Sequence, residues 1–236
     1  MELKFLGRGS AFNVKEGNTS AYYKKNNILL LIDCGTTVFK SILDKYLLDD
    51  VKEVNILITH LHDDHVGSLS SLIMYCYYCK GIKVNVYFPK AERIKGYLKH
   101  TGATENIYNL LRVPNIINAS MNLNIFGFKE YHCPELVSYG FNITNLENNK
   151  TIMYSGDTKG GKYTDLTINI DNIKFCDKVY HDTCLADYEG NVHTSLRKLC
   201  ELIPKEFRHK IYCMHLDNNE LIEKAKAEGF NVVEVE

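Results

Sequence analysis

Three histidines and two aspartates fall within the six positions from His60 to His65, directly after the apolar run Val54–Ile58. Histidine nitrogens and aspartate oxygens together suit borderline divalent metals such as zinc or manganese. Side chains two apart on an extended segment point the same way, so we expect His60 and His62 to hold one ion. Asp64 and His65, just past the strand end, can turn toward a second. A solvated, charged turn is the alternative, and it is disfavoured because the rest of the chain supplies the missing ligands.

Those further candidate ligands are His132, Asp157 and His215. Each follows a short β-prone apolar run, and active-site residues commonly lie where strands give way to loops. Either of these histidines taken alone would more often be a surface residue or a satisfied core residue. The prediction of a metal site therefore rests on the ordered set.

The pattern H-x-H-x-D-H, followed by H, D and H, resembles the metallo-β-lactamase superfamily. The resemblance covers nearly the whole chain and includes Asp33–Gly35, which looks like the D-x-G turn of that superfamily. It implies an α/β fold, a four-layer αββα sandwich, formed as a single domain over residues 1–236. It also implies the ligands of two metals: His60, His62 and His132 for one, Asp64, His65 and His215 for the other, and Asp157 as the bridge.

Hydrophobic periodicity predicts elements that suit this sandwich. Strands are predicted over residues 3–6, 21–24, 28–32, 54–58, 83–88, 151–154, 178–181, 211–214 and 232–235, with two more between 123 and 145. Helices are predicted over 37–48, 68–79, 90–100, 194–203 and 219–228. Because strands cluster in each half and helices alternate with them, two sheets packed face to face with helices outside fit the pattern.

A second motif narrows the branch of the superfamily. Residues 181–184 and 193–195 are similar to the H-E-A-T and H-S-T motifs of RNase Z-like phosphodiesterases, with Asp for Glu, Cys for the final Thr, and Ser and Thr exchanged. The resemblance implies that Asp182 and His193 act together and that His193 protonates the leaving oxygen. A carboxylate beside an imidazole raises the pKa of the imidazole, which favours the protonated imidazole that can act as an acid. The alternative is that Asp182 caps a turn and His193 only flanks a helix start.

The segment Ser138–Phe141, after His132, looks like the (S/A)YG(Y/F) segment of the same branch, and Tyr139 is a candidate wall of the substrate pocket. At such positions tyrosine is more often a packing residue. RNase Z proper carries a long basic arm for tRNA between the ligands that correspond to His132 and Asp157. Here only 24 residues separate them.

The charge balance favours a small substrate. The chain has 28 basic and 29 acidic residues, so no basic excess exists to hold a nucleic-acid polymer. A centre of this kind without the arm resembles the phage anti-Pycsar enzymes, which degrade cyclic mononucleotide defence signals. We therefore predict hydrolysis of small cyclic nucleotides to linear monophosphates, which would counter nucleotide-based antiviral signalling. Two alternative functions stay open: an RNase Z-like endonuclease that processes RNA 3′ ends, and a lactone or thioester hydrolase of the same fold.

The remaining expectations concern cofactors, partners and location. We expect two divalent ions per chain, zinc first and manganese second, and a homodimer, as is common among RNase Z-like proteins. No stable nucleic-acid or membrane partner is expected, and the absence of a signal-peptide pattern indicates a cytoplasmic protein. The Cys76–Cys79 pair is interpreted as helix packing, and a group of basic side chains as a solvated face: Lys90, Arg93, Lys95 and Lys99.

Overall fold

The uninterrupted apolar run Ile28–Ile32 forms a strand whose side chains are all buried. Leu30 and Ile32 pack between the two sheets of the protein, whereas Leu29 and Leu31 pack beneath helices on the outer face. A strand buried on both faces has no need of polar alternation. These packing relations come from a computed structural model that describes residues 1–112, 115–160 and 170–236.

Two sheets contain the strands of the described residues. The first has the order β1-β2-β3-β4-β5-β6 and is parallel from β3 onward: β1 (Lys4–Gly7), β2 (Ser20–Lys25), β3 (Ile28–Ile32), β4 (Glu53–Leu57), β5 (Val84–Tyr87) and β6 (Tyr108–Leu111). The second has the order β13-β12-β11-β10-β9-β8-β7 and is parallel from β10 to β13: β7 (Asn115–Asn118), β8 (Leu123–Glu130), β9 (Ser138–Asn145), β10 (Lys150–Tyr154), β11 (Lys178–Asp182), β12 (Ile211–Met214) and β13 (Asn231–Val232).

Helices cover the outer face of each sheet. The described α-helices are α1 (Val38–Asp44), α2 (Asp63–Val66), α3 (Leu69–Lys80), α4 (Ala91–His100), α5 (Ile170–Phe175), α6 (Leu196–Leu202) and α7 (Glu220–Ala227). Ile42 of α1, Leu72 of α3 and Ile94 of α4 pack against the first sheet. Leu199 of α6 and Leu221 of α7 pack against the second. The predicted αββα sandwich is confirmed.

Most predicted elements match, and the differences have physical reasons. Strands β6 and β7 were not expected, because they are short and their asparagines interrupt the apolar pattern. Helix α5 was also missed. Asp64 and His65 lie on the short helix α2 and not on an open turn. The last strand has only two residues, Asn231–Val232, and Val235 makes an isolated bridge to Phe5 instead.

Other expectations about the surface concern α3 and α4. Cys76 of α3 is buried in the core, as helix packing requires, whereas Cys79 of the same helix is exposed. On α4, Lys95 forms an ion pair with Glu105 at 2.8 Å and Arg93 is exposed. Within the described ranges, every helix is too short or too polar to cross a membrane.

The parallel strands place their carboxyl ends along one edge of the sandwich. In the second sheet, Tyr154 is in register with Tyr180, and Asp182 with Met214. The loops that follow β10, β11 and β12 therefore leave the sheet side by side. The loop after β4 reaches the same edge from the first sheet, so both sheets contribute to one site.

Candidate metal centre

The first group of candidate ligands lies at the junction of the sheets. His60 and His62 follow β4, His132 follows β8, and Asp157 follows β10. Nε2 of His60 lies 2.9 Å from Nδ1 of His62, which in turn lies 3.2 Å from Nε2 of His132. Oδ2 of Asp157 is 3.7 Å from Nε2 of both His60 and His132. Four donor atoms therefore converge on one point, as a metal position requires.

The second group shares Asp157 and adds ligands from α2 and from the end of β12. Nε2 of His215 lies 3.1 Å from Oδ2 of Asp64. Nε2 of His65 lies 3.4 Å from the same Asp64 oxygen and 3.3 Å from Oδ1 of Asp157. The two groups are the ones that the resemblance implied, and Asp157 belongs to both.

The electrostatics of the two groups differ. Burial lowers the pKa of His60, His62 and His132, which keeps these imidazoles in the neutral form that binds metals. Burial also lowers the pKa of His65, but the surrounding carboxylates, led by Asp157, outweigh this and raise the pKa well above its usual range. The second group thus sets two buried carboxylates, those of Asp64 and Asp157, against its imidazoles.

Hydrogen bonds to the outer nitrogens aim the imidazoles inward. Nδ1 of His132 donates to the carbonyl of Val192 at 3.1 Å, so that its Nε2 faces the first group. Nδ1 of His65 lies 2.8 Å from Oδ2 of Asp33, and the buried Nε2 faces the carboxylates of Asp64 and Asp157 without a well-directed hydrogen bond to any described residue. A buried nitrogen left open at a ring of carboxylates fits a bound cation, because such atoms otherwise find a partner. The residues present therefore fit a divalent metal.

The backbone around the centre is held in uncommon conformations. Asp33 and His215 have φ of 62° and 61°, a region that non-glycine residues seldom adopt. A Cβ on Gly35 would lie 1.9 Å from the carbonyl oxygen of Asp64, so only glycine lets the Asp33–Gly35 turn approach α2 this closely. Such strain is found mainly where the surroundings fix a functional geometry.

Asp182 and His193 form a third group beside the metal ligands. Nδ1 of His193 lies 2.8 Å from Oδ2 of Asp182, which also accepts the backbone N–H of Thr158 at 2.9 Å. Burial raises the pKa of Asp182, but His193 outweighs it and brings the pKa to about 2. Burial lowers the pKa of His193, and Asp182 outweighs this, so the pKa of His193 is raised. The pair combines a fixed carboxylate with an imidazole whose protonated form that carboxylate favours.

A cavity of about 720 Å³ opens above these groups. Ligands of both groups and His193 lie at its base, and its volume is within the usual range of small-molecule sites. Tyr139, the candidate wall, is half-buried and packs edge-on against Phe88 at 5.9 Å between ring centres. The cavity is lined instead by Phe12 and Tyr188, which the sequence did not single out.

Three supporting residues were also missed from sequence. Asp33 was noticed only as part of a turn, although it holds His65. Thr158 donates its backbone N–H to Asp182 and its hydroxyl to the buried Glu130, at 2.9 Å each. Thr158 directly follows Asp157, and Glu130 lies two positions before His132. This closeness to candidate ligands in the sequence is the signal that could have identified both residues.

Asp33→Asn is expected to weaken metal binding about 10- to 100-fold at the second group, because outer hydrogen bonds of this kind tune ligand basicity. Asp33 accepts the Thr59 N–H and hydroxyl as well as His65, at 2.8 Å each. An asparagine has one acceptor oxygen and would turn an amide N–H toward one of these donors. Metal titration of the variant checks this, with the exposed Asp44→Asn as control. An unchanged titration curve would contradict the role of Asp33.

Comparison with solved structures defines the class. Human tRNase Z, short form, superposes with a TM-score of 0.70 at 17% identity, covering 100% of this chain and 97% of that one. The metallo-β-lactamase fold protein YhfI from Bacillus subtilis gives 0.72 at 17% identity, with 98% and 94% covered. Unliganded yeast PDE1 gives 0.69 at 10% identity, with 99% and 96% covered. Fold and site together define the class as a protein of the metallo-β-lactamase fold with a candidate metal centre.

Sequence comparison gives the family within this class. The family model "Anti-Pycsar protein Apyc1" matches residues 1–235, and the chain belongs to that family. The protein of this name from Paenibacillus harenae is 30% identical over 228 residues, covering 91% of this chain and 89% of the relative. That from Bacillus phage BSP38 is 28% identical over 239 residues, covering 92% and 90%.

Proposed function

We propose that the protein is a two-metal phosphodiesterase that hydrolyses cyclic mononucleotides to linear monophosphates. The observation that carries this proposal is the Asp182–His193 pair beside two ligand groups that share Asp157. Hydrolysis of a phosphodiester needs a proton for the departing alkoxide, which this pair can supply, whereas a thioester expels a thiolate that departs without one. The family to which the chain belongs supports the same substrate class.

His193 is positioned to deliver that proton. Its Nδ1–H donates to Asp182, which leaves Nε2 for the substrate, and the side chain is one quarter exposed at the cavity. Asp182 itself is fully buried and holds the imidazole in one orientation. Because Asp182 raises the pKa of His193, it favours the protonated imidazole, which is the form that can act as a general acid.

His60, His62 and His132 would hold one ion, and Asp64, His65 and His215 the other, with Asp157 between them. Divalent ions so placed activate an attacking water and neutralise charge on phosphoryl oxygens. The chain contributes by fixing both ligand groups on one edge of the sandwich and by enclosing the reacting phosphate in the cavity. Zinc is our first choice and manganese the second, since histidine and aspartate suit both.

The small size of the proposed substrate follows from the region between His132 and Asp157. These residues contain only β9, β10 and the short segments around them, and β10 pairs antiparallel over its whole length with residues 141–145 of β9. A folded tRNA requires many phosphate contacts, whereas a cyclic phosphate needs the metal centre and a few pocket groups. An RNA-processing endonuclease is the second candidate, supported by the RNase Z-like motif. A homodimer and a cytoplasmic location stay predictions.

Metal-loaded protein is expected to turn over cyclic AMP, GMP, CMP and UMP and to leave precursor tRNA intact. The measurement is a parallel assay of these substrates together with a lactone and a thioester, and Asp157→Ala serves as the inactive control. Efficient tRNA cleavage alongside inert cyclic nucleotides would overturn the proposal in favour of the processing nuclease. Turnover of only the lactone or thioester would assign a different bond.

A further inference from the structure

Two large hydrophobic side chains stand open at the mouth of the cavity. Phe12 is 95% exposed and Tyr188 is 64% exposed, and both line the cavity whose base is the metal centre. Scattered apolar side chains are normal on protein surfaces. Two exposed aromatic rings that line the same cavity as buried candidate metal ligands call for a specific occupant.

The loop that carries Phe12 is fixed to the segment that follows a metal ligand. The backbone N–H of Ser10 donates to the carbonyl of Leu216 at 3.0 Å, and the N–H of Leu216 donates to the carbonyl of Arg8 at 2.8 Å. The amide of Asn13 donates to the same Leu216 carbonyl at 3.0 Å. Leu216 comes directly after His215, so Phe12 is held at a set position relative to the centre.

The loop that carries Tyr188 is fixed to the same segment. The carboxylate of Asp217 accepts the backbone N–H groups of Leu185 and Ala186 at 2.8 and 2.9 Å. Asn191 closes the other side of the loop, because its amide donates to the carbonyl of Ala186 at 2.7 Å and its oxygen accepts the N–H of His193. The proposed acid and Tyr188 therefore belong to one anchored loop.

We propose that Phe12 and Tyr188 bind the nucleobase of the substrate by stacking; this inference rests on the proposed function. A nucleotide has a charged phosphate at one end and a flat aromatic base at the other. The cavity offers both kinds of surface, because its lining includes buried candidate ligands together with His193, and also the exposed rings of Phe12 and Tyr188 with the apolar Ala11 and Val14 near Phe12 in the chain. Because every base has a π-face, stacking binds all four bases and discriminates little between them.

The test compares Phe12→Ala and Tyr188→Ala with the parent protein on two substrates. One is cyclic AMP, and the other is 1-O-methylribose 3′,5′-cyclic phosphate, which keeps the reacting phosphate and lacks the base. Each substitution is expected to raise KM for cyclic AMP about 5- to 150-fold, the range of alanine substitutions at base-stacking residues, with little change in kcat. The base-free substrate should be unaffected, so that removal of the ring and removal of the base are not additive.

Matched variants separate stacking from a general effect of lost apolar surface. Phe175→Ala removes a ring that is 74% exposed and lies outside the cavity, and should leave KM unchanged. Phe12→Trp and Tyr188→Phe keep an aromatic face and should restore binding. If a substitution raises KM equally for cyclic AMP and for the base-free substrate, base stacking is overturned, whether or not the variant loses a dimer. An unchanged KM for cyclic AMP would overturn it as well. If the parent protein cleaves no cyclic phosphate at all, the proposed function itself is wrong. That result differs from the two outcomes that overturn base stacking, because both of those require an active parent protein.

Discussion

Replacing Asp157 with alanine is expected to abolish hydrolysis and to remove metal from both positions at once. Its carboxylate lies between the two groups: Oδ2 is 3.7 Å from Nε2 of His60 in the first group and 3.4 Å from Nε2 of His215 in the second, and Oδ1 is 3.3 Å from Nε2 of His65. His62→Ala removes a ligand of the first group only, so we expect it to lose metal chiefly from that position, together with activity. Elemental analysis and turnover measured on the same samples check both expectations.

Chelation of the unmodified protein should have the same effect, and re-addition of zinc or manganese should restore the rate. The better metal in this experiment decides between the two. His100→Ala removes an exposed histidine at the end of α4 and serves as the control, with metal content and turnover unchanged. Full activity after complete removal of metal would contradict the two-metal proposal.

His193→Ala is expected to lower kcat about 10²- to 10⁴-fold while metal content is retained, because general acids contribute on this order. The effect should shrink when the leaving group is 4-nitrophenolate, which departs without a proton. Asp182→Asn should follow the same trend, since it removes the charge that raises the pKa of His193. The measurement is turnover on a good and a poor leaving group for each variant. Equal losses on both would assign His193 a structural role.

The order of the candidate ligands could be found from sequence because each follows an apolar strand. The runs at Ile28–Ile32 and Val54–Ile58 predict strands, which the structure pairs in parallel, and parallel strands bring their carboxyl ends to one edge. We expected His60 and His62 to come together because side chains two apart on an extended strand point the same way, but the structure brings them together differently. They lie beyond the end of β4, and the loop turns the two rings toward each other at 2.9 Å.

The supporting residues were harder to predict, because their roles depend on segments distant in the chain. Asp33 meets His65 only once β3 and β4 have paired. Phe12 and Tyr188 lie 176 positions apart and share a cavity only through the segment after β12. Periodicity reports which face of a strand is buried, but it carries no information about which loops meet.

The division of the chain between the two sheets has a consequence for folding. The first sheet lies within residues 4–111 and the second within 115–232, and each supplies ligands to the centre: His60, His62, Asp64 and His65 from one half, His132, Asp157 and His215 from the other. An ion held by both halves would therefore tie them together. Ligand linkage of this kind adds about 4 kcal/mol to the free energy of unfolding when the free ion is about 1,000 times its Kd. Metal supply would then govern how much folded protein persists, and a protease could remove the chain under metal limitation.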